Sequence, residues 1–321
     1  MTPAPTRPAD HRWLPGAASE CTDNDNRYRE RGDGGSTDRG ETLPELPQMQ
    51  ALAERIEARV GGATLAGVQP IGFSGLKTFD PPPESLVGRS LVGTGRRGKY
   101  LILDLGGPRI FVHLSQAGRL DVEEPPKTTR GGKGGVVRLR FDNDVALLVR
   151  EHGTERKAGW WVVGAGEVGP VEGLGPEPDS AAFAELILHG DDRRRVHTLL
   201  RDQRTVAGIG RGHTDDALWR ARLSPYATLA SLGPDDRRRL LDEVRATLTD
   251  ALERERERTG GLSEPKLGDK FLVHGRYGTP CPRCGETLRR VSYESYEVTY
   301  CPACQTDGKP LADRRLSRLV K

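Results

Sequence analysis

Hydrophobic residues recur at three- and four-residue steps in two parts of the chain, and this spacing predicts helices. Pro47 would open the first helix, and the apolar positions from Met49 to Val60 lie on one of its faces. A second helical pattern covers residues 181–259. Its clearest part, residues 235–258, carries a single stripe of leucine and valine.

Between these two regions, residues 64–163 contain short apolar runs separated by turn residues. The clearest runs are residues 100–105, 110–114, 136–141 and 145–149. Several short strands in series are typical of a β-sandwich or a barrel. We therefore predict an α+β fold, with a helix and a β-sandwich followed by a helical domain.

Composition suggests further boundaries. Residues 1–43 lack valine, isoleucine and phenylalanine, so they cannot bury enough apolar surface to fold, and we expect a disordered extension. Residues 164–178 are rich in glycine, proline and glutamate and are predicted to link a domain at 44–163 to a helical domain at 179–262. Residues 263–321 would then form a cysteine-rich module and a basic tail.

The overall charge and hydropathy exclude few classes of protein. The net charge is +3, which is compatible with nucleic acid as a partner but does not demand it. No apolar run approaches the roughly 20 residues that a membrane span needs. We expect a cytoplasmic protein that does not bind membranes.

Two CxxC pairs give the clearest chemical signal. They are Cys281 with Cys284 and Cys301 with Cys304, and sixteen residues separate the pairs. This spacing is typical of one tetrahedral Zn²⁺ held by four thiolates, with a structural role because no ligand position stays open. Two disulfides are the alternative, and a reducing cytosol disfavours them.

A glycine-rich turn between two helical segments is the second signal. Gly208, Gly210 and Arg211 lie in this turn, directly before a predicted helix. Backbone N–H groups at such a helix start can bind phosphate. A plain turn that packs two helices together is the alternative.

The third signal is a proline followed by an acid. Within a chain, Pro44 is an amide, and Pro44-Glu45 is an ordinary turn before a helix. At a free N-terminus, Pro44 would be a secondary amine beside a carboxylic acid. Such a pair can perform covalent catalysis through the amine.

Together these signals resemble the formamidopyrimidine-DNA glycosylase/endonuclease VIII family of repair enzymes. The family's first residues resemble Pro-Glu-Leu-Pro at 44–47, and its Arg-Arg-Gly-Lys-Tyr-Leu stands at 96–101. Val-Ala-Gly-Ile-Gly at 206–210 resembles its helix–two-turn–helix. Tyr-Cys-Pro-Ala-Cys-Gln at 300–305 resembles the end of its zinc ribbon.

The resemblance implies roles for three catalytic residues. Pro44 would attack the sugar C1′ as the nucleophile, and Glu45 would be the general acid that protonates the opening sugar. Lys99 would lie beside the lesion and contact its phosphate. Because the family pattern starts at Pro44, we expect the working protein to start there. Either Leu43 is the true start codon or a longer extension is cleaved.

The resemblance also implies a DNA-binding surface on both sides of an extruded base. A turn in the helical domain would grip the backbone, and a loop in the sandwich would fill the gap left in the duplex. The residues at these positions are His113, Gln116, Arg156, Lys157, Gly208, Gly210 and Arg211.

Five departures from the family pattern bear on the predicted function. Gln48 replaces a glutamate, Arg211 an asparagine, Gln116 a methionine and Ala158 a phenylalanine. Tyr296 stands where the ribbon hairpin would carry an arginine. The stretch at 260–275 is also shorter than the loop that caps purine lesions. Because Gln116, Ala158 and this short stretch remove features of the purine-lesion branch, we expect oxidised pyrimidines, hydantoins and abasic sites to be better substrates than 8-oxoguanine.

The predicted function is a bifunctional DNA glycosylase and abasic-site lyase that acts on double-stranded DNA with a damaged base or an abasic site. We expect a monomer that works at the bacterial nucleoid. The alternative is a non-catalytic protein that binds damaged DNA on the same fold. A generic zinc-ribbon protein would not explain the Pro-Glu pair and the glycine-rich turn together.

Overall fold

The computed structural model describes residues 44–129, 131–152, 157–258, 270–293 and 296–312. The predicted extension at 1–43, with its Cys21, lies outside the described residues, and so does the basic tail beyond residue 312. The predicted fold class is confirmed, since a helix and a two-sheet sandwich precede a helical region and a cysteine-bearing hairpin.

The first helix, α1 (Leu46–Val60), has Pro47 in its first turn, where the missing N–H has no partner to lose. Its apolar face is buried from Met49 to Val60, as the spacing predicts. That face packs into the core of the sandwich, and other residues of α1 contact a long helix of the second half. The start of α1 therefore lies where the two halves of the protein meet.

Among the described residues, eight strands form the sandwich, with antiparallel pairing between all neighbours. They are β1 (Leu65–Pro70), β2 (Gly93–Arg97), β3 (Tyr100–Asp104), β4 (Arg109–His113), β5 (Gly118–Glu123), β6 (Gly135–Phe141), β7 (Ala146–Glu151) and β8 (Gly159–Val163). One sheet has the order β1-β6-β7-β5, and the other has the order β2-β3-β4-β8.

The core of the sandwich is made of alternate strand residues from both sheets together with α1. Leu101, Leu103, Val137, Leu139 and Trp160 are all buried in it. The alternation follows from the period of two along a strand, which turns every second side chain inward. A rigid core of this kind holds the β2–β3 turn and the β4–β5 loop in place.

The helical half contains α2 (Ala181–His189), α3 (Val196–Arg201), α4 (Arg211–Arg220) and α5 (Pro234–Glu257). Asp235 and Asp236 occupy the first turn of α5, where negative charge suits the helix dipole. Leu46 of α1 belongs to the apolar core of this half.

The last described elements are the antiparallel strands β9 (Arg289–Tyr293) and β10 (Tyr296–Tyr300) and the short helix α6 (Pro302–Gln305). Trp219 of α4 packs against the cysteine-bearing loops of this module. No helix in the described part of the chain is long and apolar enough to cross a lipid bilayer.

Candidate active site

The start of α1 rests on the glycine-rich turn between α3 and α4. The backbone N–H of Leu46 donates to the carbonyl oxygen of Gly208 at 2.9 Å. Gln48 caps the helix, because its Oε1 accepts from the backbone N–H of Glu45 at 3.0 Å. Two segments that are far apart in the chain therefore form one site.

The Glu45 carboxylate is buried against the first turn of α4. It accepts hydrogen bonds from the backbone N–H groups of Gly210 at 2.7 Å and Gly212 at 3.0 Å. His213 Nδ1 lies 2.5 Å from its Oε2. Because the first N–H groups of a helix have no partner within the helix, they suit a buried anion.

Glycine is required at two positions of this turn. A Cβ on Gly210 would lie 2.4 Å from Glu45 Oε1 and 2.8 Å from Lys99 Nζ, so the bare backbone makes room for both charged groups. Gly208 has a φ of +91°, in the left-handed region that favours glycine. The glycine-rich turn is therefore a cradle for the Glu45 carboxylate.

Lys99 is the second charged group of the cluster and comes from the turn between β2 and β3. Burial lowers its pKa, and the neighbouring charges of Arg211 and Arg201 lower it further, although Glu45 opposes them. Arg211, predicted from the sequence to bind phosphate, is the first residue of α4, and its charge acts on Lys99.

The charges around Glu45 keep it ionised. Burial alone would raise its pKa, but His213, Lys99 and Lys270 outweigh burial and hold the pKa well below its usual range. The free protein therefore presents a carboxylate here, and this carboxylate must gain a proton before it can act as an acid.

Lys270 is a residue of this cluster that sequence reasoning missed. Its Nζ is buried and has no hydrogen-bond partner among the described residues, and it lies 5.0 Å from the centroid of the Phe271 ring. Burial lowers the pKa of Lys270 to about 8, against the opposing charges of Glu45 and Glu255. No local motif marks this lysine in the sequence.

His213 was also missed as a functional residue. The motif that contains it was noted for its glycines, whereas the histidine three residues after Gly210 makes the shortest contact with Glu45. The signal that could have found it is its place in the first turn of a helix whose N-terminus binds an anion.

A second buried carboxylate lies two residues further along α4. Asp215 accepts from His197 Nε2 at 3.0 Å, from His274 Nδ1 at 2.7 Å and from the backbone N–H of Thr299 at 3.1 Å. Burial raises the pKa of Asp215, but the two histidines outweigh it and lower the pKa overall. This carboxylate ties α3 and α4 to β10.

The four cysteines of the two CxxC pairs converge as their spacing predicts. Their sulfur atoms all lie within 4.8 Å of one another. Cys284 and Cys301 are 3.5 Å apart, and Cys281 and Cys304 are 3.9 Å apart. A tetrahedron with metal–sulfur bonds of about 2.3 Å has edges of about 3.8 Å, so the arrangement suits one metal ion.

A hydrogen bond supports the thiolate form of one ligand. The indole N–H of Trp219 donates to Cys281 Sγ at 3.3 Å. Burial opposes ionisation, but backbone N–H groups and this indole lower the pKa of Cys281 to about 7. A thiolate is the form that binds zinc.

Comparison with known proteins places the chain in a family. Family models match it in two blocks, the formamidopyrimidine-DNA glycosylase N-terminal domain at 43–161 and the formamidopyrimidine-DNA glycosylase H2TH domain at 174–261. Formamidopyrimidine-DNA glycosylase from Roseiflexus sp. (strain RS-1) is 33% identical over 283 residues, which are 82% of this chain and 100% of that protein. The chain belongs to the formamidopyrimidine-DNA glycosylase family.

Other relatives extend this comparison. Formamidopyrimidine-DNA glycosylase from Thermus thermophilus is 32% identical over 285 residues, 83% of this chain and 100% of that protein. An uncharacterized formamidopyrimidine-DNA glycosylase-like protein from Mycobacterium tuberculosis is 38% identical over 149 residues, 46% of this chain and 94% of that protein.

Solved structures have the same fold. MutM in complex with DNA containing carbocyclic 8-oxo-G matches with a TM-score of 0.73 at 24% identity, over 82% of this chain and 100% of that one. Lactococcus lactis formamidopyrimidine-DNA glycosylase, non-covalently bound to DNA with an abasic site, matches with a TM-score of 0.72 at 23% identity, over 82% and 99%.

One departure from the family pattern has a structural reason. Gln48 Nε2 donates to Glu255 Oε1 at 3.0 Å, and this bond links the start of α1 to the end of α5. A glutamate at position 48 would place two carboxylates in contact. Glutamine at this position is therefore matched to Glu255.

The loop that resembles the family's void-filling segment joins β4 to β5. The His113 ring lies 4.9 Å from the Tyr100 ring, and burial together with Lys99 lowers the pKa of His113 to about 4. Gln116 is exposed at the tip of this loop, and Lys157 is exposed on the neighbouring segment. Arg156 lies outside the described residues.

Proposed function

We propose that this chain is a DNA glycosylase of base-excision repair that also cleaves abasic sites, through a Schiff base on Pro44. The single observation that carries the proposal is the buried Glu45 carboxylate, held by the Gly210 and Gly212 N–H groups directly beside Pro44. Membership of the formamidopyrimidine-DNA glycosylase family supports the reaction class.

The nucleophile in this proposal is the nitrogen of Pro44, which requires a form of the protein that begins at Pro44. A free α-amino group has a pKa of about 7.7–8.0, so part of it is neutral near physiological pH. The positive end of α1 and the charge of Lys99 both disfavour the protonated amine. A neutral secondary amine can attack the sugar C1′.

The secondary amine determines the later steps. Once it is bound to C1′, the nitrogen has no proton left to lose, so the iminium keeps its positive charge. That charge makes the C2′ proton acidic and drives elimination of the 3′ phosphate. Glu45 would act as the acid at the sugar ring oxygen.

The surrounding residues would hold the DNA in place. Lys99 and Arg211 would contact phosphates beside the lesion, as cationic donors do. His113, Gln116 and Lys157 would approach the space left by the extruded base. The Gly208 and Gly210 turn would lie against the backbone.

Zinc fits the four cysteines and would have a structural role, because four thiolates leave no position for water or substrate. Cys281, Cys284, Cys301 and Cys304 would hold it. The bound metal would fix the β9–β10 hairpin as a DNA-binding element.

Single-turnover assays on defined duplexes test the proposal. Protein that begins at Pro44 should release oxidised pyrimidines and hydantoins and cleave abasic sites faster than it releases 8-oxoguanine opposite cytosine, because Gln116 and Ala158 replace features of the purine-lesion branch. A clear preference for 8-oxoguanine would contradict the lesion assignment. Tight binding to abasic DNA with no base release or cleavage would instead favour the non-catalytic protein.

A further inference from the structure

His213 and Glu45 form the shortest polar contact in the cluster, and both side chains are buried. His213 Nδ1 lies 2.5 Å from Glu45 Oε2, and each side chain is 2% exposed. The other ring nitrogen, Nε2, is buried with no hydrogen-bond partner among the described residues. A buried polar atom without a partner calls for a reason, and function is one.

The proposed reaction needs more protons than its nucleophile supplies. The bonds from C1′ to the base and from C1′ to the ring oxygen O4′ both break, and each leaving atom keeps the electron pair and takes up one proton. The Pro44 nitrogen gives its electron pair to C1′ and loses a single proton as the iminium forms. One further proton must come from the site.

We propose that His213 carries this proton and passes it to the Glu45 carboxylate, so that the two side chains together form the acid that opens the sugar ring. The inference rests on the proposed function and deepens it. The proton of the Pro44 amine then goes to the departing base. His213 acts through Glu45 and does not touch the sugar, so it is a positioning residue that also holds a proton.

The surroundings of His213 suit this role. Two acidic side chains lie at His213: Glu45, directly before α1, at 2.5 Å, and Asp216 from its own helix, whose pKa burial raises against the lowering charge of His213. Lys99 and Lys270 are the cationic side chains that also act on Glu45. The ring centroid of His213 lies 5.2 Å from that of Phe271, within the distance at which an aromatic ring stabilises a cation.

Imidazole is the side chain that ordinarily changes charge near neutral pH, so it can release a proton during turnover and regain one afterwards. A carboxylate that is strongly ionised cannot do this alone. In the proposed pair, the histidine holds the proton and the carboxylate delivers it to the sugar ring oxygen.

The substitution His213→Asn tests the proposal, because the asparagine amide can place an N–H group near the position of Nδ1 without carrying a titratable proton. We expect base excision by the Pro44-start protein to fall by about 10²-fold. We expect wild-type excision to fall at alkaline pH, and we expect this fall to be absent in the variant. Cleavage of preformed abasic sites should change by less than about fivefold, because their open-chain aldehyde needs no proton at O4′.

His189→Asn is the matched control, since His189 is exposed on α2. It should leave rates and pH dependence unchanged. If His213→Asn excises bases at the wild-type rate with the wild-type pH profile, the proposal is wrong. Equal losses of excision and abasic-site cleavage would also overturn it, because they indicate a purely structural role. A wild-type protein that releases no base at all would instead refute the proposed function.

Discussion

Glu45, against the start of α4, and Asp215, within α4, are both buried carboxylates, and they differ in what surrounds them. Asp215 contacts two histidines and a backbone N–H, and these partners tie together α3, α4 and β10. Glu45 also contacts a histidine and backbone N–H groups, but two cationic side chains lie near it as well. One of them, Lys270, has an amine with no hydrogen-bond partner in the described part of the chain.

The comparison shows that a lowered pKa does not by itself distinguish a reactive group from a structural one. The pKa values of both carboxyl groups are lowered by neighbours that outweigh burial. The difference lies in the charged side chains around each carboxylate. The lysines Lys99 and Lys270 act on Glu45, and Lys270 Nζ has no hydrogen-bond partner among the described residues, whereas the charges that act on Asp215 are those of its two histidines. We therefore propose catalysis for Glu45 and scaffolding for Asp215.

The largest expected effect comes from Glu45→Gln. Base excision should fall by about 10³-fold or more, because the amide cannot give a proton to the sugar. Some cleavage of preformed abasic sites should survive. Single-turnover rates on lesion and abasic duplexes measure both, and Glu185→Gln, on the exposed face of α2, is the matched control. Base excision within tenfold of wild type would place catalysis elsewhere.

Asp215→Asn should affect stability first. Removing the charge leaves two histidines around a neutral amide, and breaking a buried pair costs about 3–5 kcal/mol of unfolding free energy. Chemical denaturation measures this loss. Asp235→Asn, at an exposed ion pair on α5, should cost less than about 1 kcal/mol. A stable Asp215→Asn protein with no activity would reverse the assignment of the two carboxylates.

The stability difference between wild type and Asp215→Asn should depend on pH. The pKa of Asp215 is lower in the folded protein than in the unfolded chain. The stability that this carboxylate contributes is therefore present above its pKa in the unfolded chain and is lost as the pH falls below about 4. The pKa of His274 is raised, because Asp215 outweighs burial, so its contribution is lost as pH rises above about 6.5. The difference should therefore be greatest between these values. A pH-independent difference would contradict the ionic account.

Substitution of a cysteine in the metal site should have a smaller effect. Asp215 is linked to this site because it accepts a hydrogen bond from the backbone N–H of Thr299, two residues before Cys301. Native protein should contain one zinc per chain, and Cys284→Ala should weaken DNA binding by roughly tenfold, about 1.4 kcal/mol. Metal analysis and binding titrations check this. Cys21→Ala, outside the paired motif, is the control in the full chain. Zinc-free native protein, or full DNA affinity in Cys284→Ala, would contradict a structural zinc.

Features of the fold that are marked by periodic spacing or by short motifs could be predicted from the sequence. The buried face of α1 follows from apolar spacing, and the cysteine cluster follows from two short motifs. The Glu45 cluster joins residues from α1, the β2–β3 turn, α4 and the segment after α5. Lys270 carries no local signal of that contact, and His213 is marked only by its place in the first turn of a helix. The folded chain brings both residues to Glu45.

The matched pair of Gln48 and Glu255 shows the same limit. In the sequence, Gln48 is a departure from the family pattern, whereas in the structure it donates to a carboxylate 207 positions away. A substitution at one end of such a contact can be interpreted only when its partner is known. Long-range polar pairs of this kind cannot be found by periodicity.

Borohydride trapping on a duplex with an abasic site tests the central claim most directly. Reduction converts the proposed iminium into a stable covalent bond, and peptide mapping of the adduct identifies the nitrogen. Protein that begins at Pro44 should be trapped through the Pro44 nitrogen, whereas a chain with an intact peptide bond before Pro44 should not be trapped there. An adduct on Lys99 or Lys270, or abasic-site cleavage by the full-length chain at the same rate, would contradict the account.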